Sequence, residues 1–411
     1  MSAAAPAAPP PPLSMTQVLI CGALVVTLSM GIRHGFGLWL QPIVMDRGWT
    51  RETFAFAMAV QNLTWGVAGL FAGMVADRFG AFRVLVVCGL AYAAGLTLMA
   101  VSSTPWTFTA TTGVLIGIAQ AGTTYAIVYG VIGRNVPAHK RSWAMGAAAA
   151  AGSFGQFLMV PVESSLIAGL GWQAALLVLA AAALVIVPLA LGLREPGLAS
   201  GVSRPQQSIG QALREAIGYN SFRLLMAGYF VCGFHLAFIA VHMPSYLKDK
   251  GMSPDVAATA LALIGLFNVF GTYAAGVAGE RFPKTWILST IYAARSLAIV
   301  GLLLLPLTPW TVYLFSAMMG LLWLSTVPAT NSVVAQIFGV QYLSTLAGFV
   351  FLSHQVGSFI GVWLGGRLYD TSGSYDLVWW LGVALGLFAA LINMPVNEGP
   401  IARPAPAAAN P

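Results

Sequence analysis

The chain has 411 residues, 58% of them hydrophobic and 8% charged, with a formal net charge of +7. A soluble protein would carry about 25% charged residues, so a water-soluble globule is excluded. The positive charges follow the gaps between apolar stretches and form no patch of the kind that grips nucleic acid.

Residues 1–14 are rich in Ala and Pro and carry no Lys or Arg, which suits a disordered tail and not a signal peptide. Apolar stretches follow at 16–43, 53–76, 83–102, 107–133, 142–168 and 172–193, then at 222–247, 255–279, 285–305, 310–337, 343–367 and 376–396. Their lengths are close to the roughly 20 residues a spanning helix needs. Backbone groups in lipid must bond within their own segment, so these are predicted as twelve helices, spans one to twelve, of an all-α membrane protein. Strands of a membrane barrel would alternate apolar and polar residues over about ten positions, and no such alternation occurs. Residues 194–221, with Pro196 and Pro205, read as a cytoplasmic linker between an N-terminal bundle at 15–193 and a C-terminal bundle at 222–396. Residues 397–411 read as a second disordered cytoplasmic tail.

Trp49, Trp106, Trp172, Trp310 and Trp379 fall near predicted span ends, as an interfacial belt requires. With both termini cytoplasmic, twelve Lys and Arg lie in cytoplasmic segments and five on the other side, an excess that favours this orientation. The implied location is a bacterial inner membrane. Cys21, Cys88 and Cys232 all lie inside apolar stretches and read as unbridged core residues. No metal-ligand cluster, nucleophile–base pair or phosphate loop is present, so neither a cofactor nor an enzyme is expected.

The second half repeats the first after 203 residues. Asp46-Arg47-Gly48-Trp49-Thr50-Arg51-Glu52 returns as Asp249-Lys250-Gly251-Met252-Ser253-Pro254-Asp255, and Ala72 to Phe79 returns as Ala275 to Phe282. Two similar membrane halves can rock against each other around a central site, which predicts a transporter. In the first pair of loops, Thr50 and Ser253 are candidate caps for spans two and eight, Pro254 suits the first helical position, and Glu52 and Asp255 favour the positive helix end.

Gly73-Met74-Val75-Ala76-Asp77-Arg78-Phe79-Gly80, followed by Arg83, resembles the signature loop of the major facilitator superfamily, and Gly276 to Lys284 resembles its second copy. The resemblance extends over residues 15–396 and implies two pseudo-symmetric six-helix bundles, function as a monomer, and a cavity lined by spans one, four, seven and ten. It also implies a latch in which Asp77 faces the start of span eleven near Ser344, helped by Arg78 and Arg83. Glu280 and Arg281 would do the same opposite span five near Ser142. Within the superfamily, Gly35-Phe36-Gly37-Leu38-Trp39, Gly48 to Arg51, and His354-Gln355-Val356-Gly357 running to Asp370 are similar to bacterial relatives of the monocarboxylate porters and oxalate–formate antiporters. The chain departs from the porters' span-eight acid and arginine, which align with Asn268 and Thr272.

Away from the ends of the predicted spans, only Arg33 and Arg295 carry Arg side chains, and His34, His235, His242 and His354 add imidazoles; Glu163 is the one acid so placed. An Arg at mid-membrane costs about 2.5–3.5 kcal/mol on insertion scales, so it faces a cavity or a partner. Arg33, His34 and His235 sit on repeat-related spans one and seven and are expected to form a substrate cluster. Tyr125, Tyr129, Asn268, Asn331 and His354 are the other substrate-binding candidates. Arg295, deep in span nine, is expected to bond helix carbonyls, and Glu163 is a structural or coupling candidate. Donors outnumber acids, so the expected substrate is a small organic anion, with monocarboxylates among the candidates. It would move by proton symport or anion exchange; efflux of amphipathic drugs or metabolites is the alternative.

Overall fold

The computed structural model describes residues 13–195, 209–339 and 343–401. Among these, twelve helices are long and apolar enough to cross a membrane, from Met15–Arg47 to Asp376–Asn393, in the order the sequence predicts. One apolar core gathers residues between Val18 and Leu193, and a second gathers residues between Ala212 and Val396. Ala237, Val241 and Val362 cross into the first core and Val160 into the second. These exchanges mark where the halves meet, along span two against eleven, span five against eight and span seven against the end of span one.

Turn chemistry sets the repeated loops. Gly48 and Gly251, 203 positions apart, both take left-handed backbone, φ 66° and 83°, which a side chain would resist. Thr50 accepts the Thr53 N–H and caps span two. Ser253 holds the matching place before Pro254 but makes no side-chain cap bond.

Four spans are discontinuous; in span six a single turn residue, Val185, separates Trp172–Leu184 from Ile186–Leu191. Span one passes from α-helix (Met15–His34) through a 3₁₀ stretch (Gly35–Trp39) to a last helix (Leu40–Arg47). Span four breaks at Thr124, which is extended, between Ile116–Thr123 and Tyr125–Asn135. Span ten breaks at 323–325, between Pro309–Leu322 and Thr326–Phe338. Breaks in lipid persist only where other groups satisfy the freed backbone.

The sequence reads 194–221 as a linker and 397–411 as a disordered tail; among the described residues, parts of both are packed onto the bundles. Ile209–Gly218 is a helix whose Ala212 and Ala216 are buried against the C-terminal core. Glu398 is tied down: its carboxylate accepts the Thr285 N–H at 2.8 Å beside Lys284. Glu195, 203 positions earlier, takes Arg134 at 2.8 and 2.9 Å and Asn135 at 2.8 Å. Each half therefore fastens the end of its sixth span to its own helices.

Candidate functional site

The face on the side of residues 46–52, the outer one under the orientation expected from the sequence, is shut by polar contacts between halves. Arg51 meets Asp249 with two nitrogens, at 2.6 and 2.7 Å, and donates to Tyr375 at 3.0 Å. Its guanidinium lies 3.7 Å from the centre of the Tyr369 ring. A planar fork on a carboxylate and over a ring is geometry that Lys cannot reproduce. Gln41 adds a second bond to Asp249, at 3.1 Å. Asp370 accepts the backbone N–H groups of Arg51 and Glu52 at 3.2 and 2.7 Å, an N-terminal cap supplied by the opposite half. Glu52 in turn binds Arg367 at 3.0 Å and the Trp363 indole at 3.2 Å. Burial pushes the Tyr375 phenol above its ordinary range against the pull of Arg51, so it stays protonated. The sequence reading limits these loops to capping. Its one clue was that the repeat sets Arg51 opposite Pro254, a charge that a shared loop shape does not require.

Beneath this seal lies a cavity of about 20 Å³, room for one water molecule. Arg33, His34, Gly37, Gln61 and Asn62 line it with Ala240 of span seven, and none of its lining residues is an acid. Arg33 turns inward: it donates to Asn62 and lies 4.6 Å from the Trp65 ring centre, while its Nε has no partner. His34 reaches across the halves to the Leu261 carbonyl, 3.0 Å away on span eight. His235 does not join them. Its Nε2 lies 2.7 Å from the Gly382 carbonyl of span twelve, so it faces the interior of its own half, and the three-residue cluster expected from the repeat is not assembled. His242 is likewise occupied, by the Val362 carbonyl at 2.8 Å and Tyr375 at 3.2 Å.

Glu163 is fully buried and accepts the Trp39 indole N–H at 3.0 Å, with its second oxygen unpartnered. It fills the notch left by Gly35, where any Cβ would collide with the carboxyl. Arg295 donates to the Leu322 carbonyl at 3.2 and 2.6 Å, to the Trp323 carbonyl at 2.6 Å and to the Cys232 sulfur at 3.3 Å. It thus satisfies the C-terminal carbonyls freed by the break in span ten. Asn268 holds the same break from the other side. Its Oδ1 accepts the Leu324 N–H at 3.0 Å, and its Nδ2 donates to Ser153 of span five, also at 3.0 Å.

Tyr125 and Tyr129 are half-buried on span four with ring centres 5.7 Å apart, and Asn331 is exposed on span ten. His354 packs between Phe351, at 5.8 Å, and Tyr229, at 5.1 Å. At the opposite face from the seal, Arg78, Arg83, Glu280 and Arg281 are exposed. The side chains of Asp77, Ser142 and Ser344, on which the expected latch depends, lie outside what the structure describes.

Twelve spans in two repeat-related bundles, broken spans at corresponding places and a closed inter-half face define a carrier. The sequence profile of the Major Facilitator Superfamily matches residues 19–362 and 225–411. The chain belongs to that superfamily: it is an integral membrane transporter. It is 23% identical over 362 residues to the MFS-type transporter YcxA of Bacillus subtilis (strain 168), covering 84% of this chain and 86% of YcxA. Shorter matches reach the multidrug resistance protein MdtH. The identity is 31% over 90 residues for Proteus mirabilis (strain HI4320), spanning 22% of this chain and 20% of that one. The fold is similar to a bacterial homolog of the human lysosomal transporter Spinster, in its inward-facing and occupied conformation, with a TM-score of 0.75 at 15% identity over 93% of this chain and 96% of that one. It is also similar to a D-xylose–proton symporter, with a TM-score of 0.68 at 16% identity over 93% and 97%. None of these findings assigns the chain to the monocarboxylate porter and oxalate–formate antiporter group.

Proposed function

We propose that this transporter moves a small organic anion, with monocarboxylates among the candidates, by rocking its halves around the Arg33 cavity in a bacterial inner membrane with both termini cytoplasmic. The observation that carries the reading is Arg33 itself. It is a guanidinium within the spans whose bonded partner is a neutral amide, beside a cavity with no acid in its lining. A charge so placed is expensive without a counter-ion, and a substrate carboxylate supplies one. Transport then requires the outer seal at Arg51 and Asp249 to open once per cycle. Proton symport would draw on Glu163, the one fully buried acid among the described residues; anion exchange would leave it structural.

The test is uptake of a labelled organic-anion panel into proteoliposomes, with and without a pH gradient. Carboxylates should be taken up and Arg33→Lys should cut uptake while the protein still folds. Uptake confined to neutral or cationic compounds would sink the reading. Under proton symport, Glu163→Gln abolishes gradient-driven accumulation but spares exchange of labelled for unlabelled anion; under pure exchange it changes neither.

A second reading, efflux of amphipathic drugs or metabolites, is favoured by the local similarity to MdtH, 39% over 59 residues for the Yersinia enterocolitica protein but only 14% of this chain. Drug-stimulated loss of a lipophilic cation from loaded vesicles would support it; the acid-free cavity beside Arg33 speaks against it.

A further inference from the structure

We propose that the anion taken at Arg33 is a planar aromatic carboxylate, with its carboxylate between Arg33 and Gln355 and its ring against Trp65 and Phe351. The inference rests on the anion reading above and names the class of anion.

Two unsatisfied donors define the polar end. Gln355 on span eleven is fully buried, and its Nε2 has no partner; Arg33 Nε on span one has none either. The two come from opposite halves and approach adjacent turns of span two. Arg33 bonds Asn62. The Gln355 stem lies on Gly66, where an added Cβ would sit 2.8 Å from Gln355 Cβ. Residues four apart share one face of a helix, so both donors meet the same stripe of span two. Buried donors without acceptors are costly and rare in folded proteins. A carboxylate carries two acceptor oxygens on one carbon and can answer both donors at once. Because the donors belong to different halves, such a ligand also ties its binding to their relative position.

Rings define the other end. Trp65 lies under the Arg33 guanidinium, and Phe351 meets it edge to face with centres 5.2 Å apart. His354 stacks on Phe351 at 13° between planes. Trp65, Phe351 and His354 are only half-buried, which leaves part of each residue's surface for a ligand to cover. Flat ligands gain from such faces beyond the area they bury; a short aliphatic anion would leave them unused. With the outer seal closed the cavity is water-sized, so the ring enters as the halves part.

The experiment is calorimetric binding to the purified full-length protein of four probes: benzoate, cyclohexanecarboxylate, benzamide and acetate. Benzoate should bind best. Cyclohexanecarboxylate, of matched size and charge, should bind about two- to tenfold more weakly, and benzamide and acetate more weakly again. Trp65→Leu should erase the preference for benzoate over cyclohexanecarboxylate, and Trp65→Phe should keep it. Gln355→Met should weaken both carboxylates alike without changing their ratio. Equal affinity for benzoate and cyclohexanecarboxylate, or acetate binding as tightly as benzoate, overturns the aromatic inference and leaves the anion reading intact. A protein that unfolds cooperatively yet binds no carboxylate overturns the anion reading itself.

Discussion

Spans four and ten are broken within about one turn of the same depth, yet the two breaks are held by different chemistry. Three positions, each repeated after 203 residues, surround both. In the first half they are Ser29, Tyr92 and Thr123: Ser29 and Thr123 share a hydrogen bond of 2.8 Å, and the Tyr92 hydroxyl donates to the Ser29 carbonyl at 3.3 Å. In the second they are Cys232, Arg295 and Thr326: Cys232 and Thr326 are 3.3 Å apart, and Arg295 reaches both Cys232 and the freed carbonyls. The layout is conserved between the halves while the central group has become a permanent charge. The first break spans one extended residue, Thr124, and neutral hydroxyls surround it. The second spans three residues and leaves more carbonyls to satisfy, which a guanidinium with several donors can do. The depth of a break is thus set by the repeat, and its width by what the neighbouring span can donate.

The comparison breaks hardest at Arg295. Arg295→Met should destabilise the second half by about 3–5 kcal/mol, because two buried carbonyls lose a charged donor. Hydrogen exchange should rise along 309–338 and stay unchanged along 105–135; a uniform rise would refute a local role. Asn268→Leu comes next. It strips the Leu324 N–H and the bond to Ser153 and should cost about 1–2 kcal/mol. Because that bond joins the halves, transport should fall more than thermal stability does, as uptake set against melting temperature would reveal. Tyr92→Phe removes one hydroxyl from the first break and should cost about 0.6 kcal/mol, measurable as a small shift in melting temperature. Cys232→Ser gives the second half the residue the first already has, and should change stability by less than about 0.5 kcal/mol. A large loss there would mean that Arg295 depends on the sulfur.

Much of this was legible in the sequence, and the reasons differ by element. Span positions follow from apolar length, which the bilayer fixes. The repeat marked the loops that hold Gly48 and Gly251, and the depth of Arg295 in span nine led to a guanidinium expected on helix carbonyls. The break in span ten had a trace in Pro328, which lacks an N–H to continue the ladder; the break at Thr124 had no comparable mark. The repeat misled for His235. It fixes depth along a helix but not which face is presented, and a rotation of about one residue turns a side chain from the cavity to the bundle interior. The inter-half contacts of Arg51, Asp249, Asp370 and Glu52 were hidden for a related reason. They join positions that the repeat does not relate, so their pairing exists only once the halves are docked.

The outer seal has a consequence for how the carrier meets its surroundings. The Arg51–Asp249 pair is partly open to solvent, with side chains 12% and 26% exposed, so dissolved ions weaken it. The medium touching that face can reach it while the medium on the opposite face cannot. The carrier should therefore respond to ionic strength with a handedness. In vesicles of uniform orientation, salt added on the Arg51 side should speed opening toward that side, and the same salt on the other side should leave opening unchanged. A brackish or dilute medium on the Arg51 side would then set the pace of the cycle without touching the substrate.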